Sequence, residues 1–126
     1  MTDKSKNHEC KNILVVDDDP AVRQTMKDVL EIHGYHVVTA TDGSDAINKL
    51  ADMETLPCLI LLDLMMPGMN GWGFLDFQRS NANYASVPVV LCSAYEASAK
   101  AIGIKPLLVK PVQLNNLLGA VQSFCA

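Results

Sequence analysis

The stretch Ile13-Leu14-Val15-Val16-Asp17-Asp18-Asp19-Pro20 decides the reading of this chain. Four consecutive apolar residues, three of them β-branched, show no polar alternation, which marks a short strand buried on both faces. Three carboxylates follow without a spacer. The last of them precedes a proline, and an acidic cap followed by proline at the first helical position opens a helix. Val22, Met26, Val29 and Leu30 then fall on one helical face, and Gly34 closes the helix.

The alternation continues outward from this unit. Val37 and Val38 with their neighbours predict a second strand, and a second helix follows Thr41-Asp42-Gly43 with Ala46, Ile47 and Leu50 on its buried stripe. Leu59-Ile60-Leu61-Leu62 predicts a third buried strand that ends in Asp63. Pro67, Gly68 and Gly71 mark a loop, and helical spacing resumes from Trp72 to Gln78 through Phe74 and Leu75. Val87 to Leu91 predicts a fourth strand and Leu107 to Val109 a fifth. Leu114, Leu117, Leu118, Val121 and Phe124 form the apolar stripe of a last helix. Strands that alternate with helices and are apolar on both faces predict a parallel sheet covered by helices on both sides.

In such a sheet, functional groups gather beyond the carboxyl ends of the strands, at the point where strand order switches. Those ends carry Asp17, Asp18 and Asp19 on the first strand, Asp63 on the third, Ser93 on the fourth and Lys110 on the fifth. Like charges held this close repel and destabilise the fold unless a cation intervenes. Hard oxygen ligands suit magnesium better than zinc. A metal, an exposed carboxylate and a lysine together make a site that handles phosphoryl groups.

Composition narrows the classes further. The chain has 126 residues, 49% hydrophobic and 19% charged, which fits one globular domain and excludes a disordered chain. No apolar run approaches the ~18 residues of a membrane span, and the polar start lacks a secretory pattern, so a cytoplasmic protein is expected. The net charge is −4; without Asp17, Asp18, Asp19 and Asp63, ten acids face 10 basic side chains. The acidity is thus concentrated, and no basic face is left for direct nucleic-acid binding. Cys10, Cys58, Cys92 and Cys125 have no metal spacing and are expected to be reduced, structural thiols. His33 is expected to support a helix end and His36 to sit on a strand, neither as a metal ligand.

The motifs Ile13 to Asp19, Leu61 to Gly71, Ser93-Ala94 and Val109-Lys110-Pro111 resemble the receiver domains of two-component response regulators. The resemblance runs from about Asn12 to Phe124, behind a polar tail over 1–11 that is expected to be flexible, with the domain itself over 12–126. It implies a flavodoxin-like fold with strand order 2-1-3-4-5. It also implies that Asp63 accepts a phosphoryl group from the phosphohistidine of a histidine kinase or a phosphotransfer protein. Asp18, Asp63 and the Met65 carbonyl would ligate Mg²⁺, with Asp17 helping through water or hydrogen bonds. Lys110 would pair with the phosphoryl oxygens, the Ser93 hydroxyl would move towards them, and Lys110-Pro111 would be a cis bond. Such a domain is a switch that assists its own phosphoryl transfer and signals to a downstream protein partner rather than an enzyme.

Three departures from the family pattern bear on the output. Leu107 stands where these domains usually carry an aromatic that couples phosphorylation to the far face. Ser93 and Lys110 are 17 positions apart, about five fewer than usual and more than one turn at 3.6 residues per turn. The fourth helix, between the fourth and fifth strands, is therefore expected to be shortened, and dimerisation through it weakened. Met65 and Tyr95, at positions that tune water attack on the acyl phosphate, offer no carboxylate or amide, which predicts slow self-dephosphorylation. Leu107 and the short helix also motivate an alternative, a receiver-fold scaffold that binds partners without phosphorylation. An aspartyl-phosphate phosphatase similar to the haloacid dehalogenases would need a second Asp where Met65 stands. A flavodoxin would need a phosphate loop free of acids after the first strand.

Overall fold

The computed structural model describes residues 11–63, 71–93, 107–109 and 112–125. The strands are β1 (Asn12–Val16), β2 (His36–Ala40), β3 (Leu59–Asp63), β4 (Val89–Ser93) and β5 (Leu107–Val109). The described helices are α1 (Pro20–Ile32), α2 (Gly43–Asp52), α3 (Gly71–Ser80) and α4 (Leu114–Cys125). All four strand pairings are parallel, in the order β2-β1-β3-β4-β5, the flavodoxin-like order expected. The shortened fourth helix expected near 96–102 lies outside the described residues, as do Cys10, the tail and the Lys110-Pro111 bond. No helix among the described residues is long and apolar enough to cross a membrane.

Period-two alternation sorts the strand residues between two cores. Ile13, Val15, Leu59, Leu61, Val90, Cys92 and Leu108 face α1 and α4. Leu14, Val16, Ile60, Leu62 and Leu91 face the other way, against α2 and α3. Both faces are dry, so the strands needed unbroken apolar runs. Truncating one of these side chains, such as Leu61 to Ala, removes about 2–5 kcal/mol of stability.

The helix boundaries follow local chemistry. Asp19 caps α1, its carboxylate accepting from the N–H groups of Ala21 and Val22, with Pro20 in the first turn. At the other end Gly34 adopts φ 95°, the left-handed region open to glycine. Its N–H donates to the Glu31 carbonyl and that of Tyr35 to the Leu30 carbonyl, the paired bonds of a Schellman stop. The His33 ring contacts the Val29 carbonyl, which agrees with its expected role at the helix end. Asp42 caps α2 through the Asp45 N–H.

Three details differ from the expectations. The fourth strand begins at Val89 and runs to Ser93, two residues later than predicted. Pro88 has no N–H to give the ladder, although its carbonyl accepts from Ile60. The buried stripe of α4 is Leu117, Val121 and Cys125, while Leu114 and Phe124 are half exposed at its margins. Most consequentially, Cys58 and Cys125 are not free thiols but form a disulfide. The last helix returns towards the strands' amino ends and so brings Cys125 to the entrance of β3, a proximity that a sequence separation of 67 does not announce. Cys92 is a buried thiol in the core, as expected.

Candidate functional site

The strand register sets the geometry of the carboxyl end. Val16 pairs with Leu62, Leu62 with Leu91 and Leu91 with Leu107, so four strands share one row. One step further, Asp63 pairs with Cys92 and Cys92 with Leu108. At the next step Ser93 pairs with Val109, the residue bonded to Lys110. The β-ladder therefore brings the predicted Asp63 and Ser93 to the same end of the sheet, on adjacent strands and one row apart.

The acids converge at the junction of β1 and β3, which is where the strand order switches. One carboxylate oxygen each from Asp17, Asp18 and Asp63 lies within 4.8 Å of the others. Asp17 and Asp63 are buried at 2% and 5% exposure, and Asp18 faces solvent. Two of the acids are buried and the third is open, so a small ion can reach the cluster from water on the Asp18 side. The third acid of the run, Asp19, is turned away to cap α1 and belongs to the helix rather than to the cluster.

Hydrogen bonds brace this loop. The Asp17 N–H donates to the Ala40 carbonyl at 3.1 Å and so prolongs the β1–β2 ladder by one residue. The Asp17 carboxylate accepts from the Asp19 N–H at 2.9 Å. The Arg23 guanidinium donates to the Asp17 backbone carbonyl at 2.7 Å. Arg23 was not singled out in the sequence. The available signal was its place near the start of α1, facing back towards the end of β1.

Among the described residues, the donors in the cluster are carboxylate oxygens, without imidazole or thiolate. Such a set fits a hard divalent cation and disfavours zinc or copper. Met65 and Lys110, the remaining predicted site residues, lie outside the described residues.

Residues 13–122 match the family model described as the response regulator receiver domain. Protein PilG of Pseudomonas aeruginosa is 34% identical over 116 residues, covering 88% of this chain and 84% of that protein. Protein PilH of the same organism is 30% identical over 119 residues, covering 90% and 97%. The DNA-binding response regulator MtrA of Mycolicibacterium smegmatis is 32% identical, and the match spans half of that protein's length. Among solved structures, chemotaxis protein CheY4 of Vibrio cholerae superposes with a TM-score of 0.79 at 30% identity, covering 90% of this chain and 98% of that one.

Proposed function

The chain belongs to the response regulator receiver domain family of two-component signalling, and from that premise we propose that Asp63 is its phosphoacceptor. The observation that carries this reading is the convergence of Asp17, Asp18 and Asp63 within 4.8 Å at the strand switch point. An oxygen of Asp63 attacks the phosphorus of a kinase or phosphotransfer phosphohistidine. The O–P bond forms as the P–N bond breaks, and the electron pair leaves on the imidazole nitrogen. The acyl phosphate is itself reactive, which lets the group be passed on or hydrolysed.

The remaining residues supply charge and orientation. Asp17, Asp18 and Asp63, with the Met65 carbonyl, would hold Mg²⁺, whose chemistry is to neutralise the phosphoryl oxygens. Asp17, braced through its carboxylate and its carbonyl, keeps the neighbouring Asp18 aimed at the pocket. Lys110 provides the opposing positive charge and Ser93 a hydroxyl donor to the transferred group. The receiver unit spans 12–126, works in the cytoplasm and hands its state to a downstream protein partner.

The test is incubation with Mg²⁺ and acetyl phosphate followed by intact-mass measurement, with Asp63→Ala as control. A gain of one phosphoryl group that needs Mg²⁺ and disappears in the variant is expected. If no group is gained and Mg²⁺ also fails to raise the melting temperature, the domain is a binding scaffold instead.

A further inference from the structure

The opposite end of the sheet holds a second cluster of chemistry. Cys58 stands at the entrance to β3 and Cys125 at the end of α4, with their Cα atoms 5.6 Å apart across the disulfide. The Cys58 N–H donates to the Asn12 carbonyl at 2.8 Å. The Lys11 ammonium donates to the Cys125 carbonyl at 2.7 Å. The start of β1, the approach to β3 and the end of α4 therefore meet at one point. Cys125 is buried at 3% exposure, whereas Cys58 is only partly buried. A thiolate arriving from solvent meets Cys58 first.

We propose that Cys58–Cys125 is a reducible clamp on the last helix, a redox input separate from the acid pocket, in which Lys11 promotes departure of the Cys125 sulfur. The reacting partner is a dithiol. Its thiolate attacks the Sγ of Cys58, the S–S bond breaks, and the electron pair leaves on the Sγ of Cys125, which takes a proton from solvent. The second thiol of the reductant loses its proton and attacks the mixed disulfide. Cys58 is freed and protonated, and the reductant departs as a cyclic disulfide. Two electrons and two protons have passed to the protein.

Lys11 matters because a leaving sulfur departs faster the lower its thiol pKa. Cys125 ends a helix, where the dipole disfavours an anion. The Lys11 ammonium, held on the carbonyl of Cys125, offsets this and stabilises the departing sulfur. Reduction leaves the middle of α4 packed through Leu117 and Val121 but removes the covalent hold on its last turn. The first turn of that helix, at the end away from the clamp, lines with Val22 and Met26 of α1 a groove of about 320 Å³, so reduction loosens the last turn and leaves that wall in place. None of this depends on the phosphoacceptor reading, since no acid of the pocket takes part.

The test uses the full chain with Cys10→Ser, so that the thiol of Cys10 cannot exchange with the pair. Alkylation without reductant and intact mass report the pair, and glutathione buffers spanning reducing to oxidising ratios report its poise. The expected oxidised form is two hydrogens lighter, unalkylated at Cys58 and Cys125, and converts within that range of buffers. Reduction lowers the melting temperature by roughly 10–20 °C and speeds hydrogen exchange in Val121–Cys125 while β1 and β3 stay protected. Lys11→Met slows reduction by dithiothreitol about threefold or more, with the oxidised form still folded. Alkylation of both sulfurs without reductant overturns the clamp. So does unchanged exchange in α4 on reduction, and a pair that stays oxidised in the most reducing buffer is a permanent staple, not an input. An unchanged reduction rate in Lys11→Met overturns the part given to Lys11.

Discussion

The Arg23 side chain of α1 and the backbone of Asp17 are joined by a 2.7 Å hydrogen bond from the guanidinium to the carbonyl. A helix thereby grips the loop that carries the acids without touching a carboxylate. Removing the guanidinium loosens the loop, but it also removes a cation whose repulsion opposes an incoming Mg²⁺. At about 0.15 M salt the second effect is largely screened, whereas groups that orient metal ligands are worth about tenfold or more in affinity. Arg23→Met is expected to bind Mg²⁺ up to about tenfold more weakly by calorimetric titration, with Arg23→Lys in between. Tighter binding by Arg23→Met would show that the brace is irrelevant.

Asp18 is the exposed member of the cluster, so its removal tests the pocket with little disturbance of the core. A ligand that binds only the native state stabilises by about 2.7 kcal/mol at a hundredfold excess over its Kd. Mg²⁺ is expected to raise the melting temperature of the natural chain and to do so much less in Asp18→Asn. Equal shifts in both proteins would place the ion elsewhere.

Asp19 belongs to the helix, so its loss has a different signature. Asp19→Ala removes the acceptor for the Ala21 and Val22 N–H groups and is expected to cost about 1 kcal/mol of stability. Phosphoryl incorporation at Asp63 should survive at saturating Mg²⁺. Denaturant unfolding and intact mass, measured on the same variant, separate the two effects.

Gln78 is buried at 3% exposure and donates from its amide nitrogen to the carbonyls of Tyr84 at 2.7 Å and Val87 at 3.2 Å. It stitches the end of α3 to the turn that leads into β4. Gln78→Met keeps the volume but takes the amide donor from both carbonyls; that of Tyr84 keeps the Val87 N–H while that of Val87 loses its side-chain partner, with an expected cost of about 1–3 kcal/mol. A urea midpoint equal to that of the natural chain would mean the turn holds without the stitch.

Met65 follows Asp63, the proposed phosphoacceptor, by two positions and offers no group to orient water. The acyl phosphate is expected to be long-lived, and Met65→Asn to shorten its lifetime severalfold. Decay followed by mass after removal of the phosphodonor measures both. A short lifetime that the substitution leaves unchanged would contradict the role given to this position.

Much of this architecture could be read before any coordinates. Ile13 to Val16 and Leu59 to Leu62 announced buried strands because a sheet covered on both faces leaves no polar alternation. Asp17, Asp18 and Asp63 could be grouped because parallel strands deliver their final residues to one rim. The edges of β4 were misplaced because an apolar run does not say which of its residues pair, and Pro88 shifts the ladder. Arg23 stayed hidden because its partner is a main-chain carbonyl, which no side-chain pattern records. The Cys58–Cys125 bond was misjudged because its closeness comes from the packing of the last helix, not from spacing along the chain.

That bond makes the molecule part ring and part open chain. Residues 58–125 form a closed covalent loop that carries β3, α3, β4, β5 and α4, while β1, α1, β2 and α2 hang outside it. A single proteolytic nick inside the loop frees no fragment until the sulfurs part, whereas a nick before Cys58 does. The seam between ring and tail runs between β1 and β3, neighbours in the sheet. Asp17 and Asp18 come from the tail and Asp63 from the ring, so an ion bound among them would be a rivet across a seam that the covalent loop does not itself close.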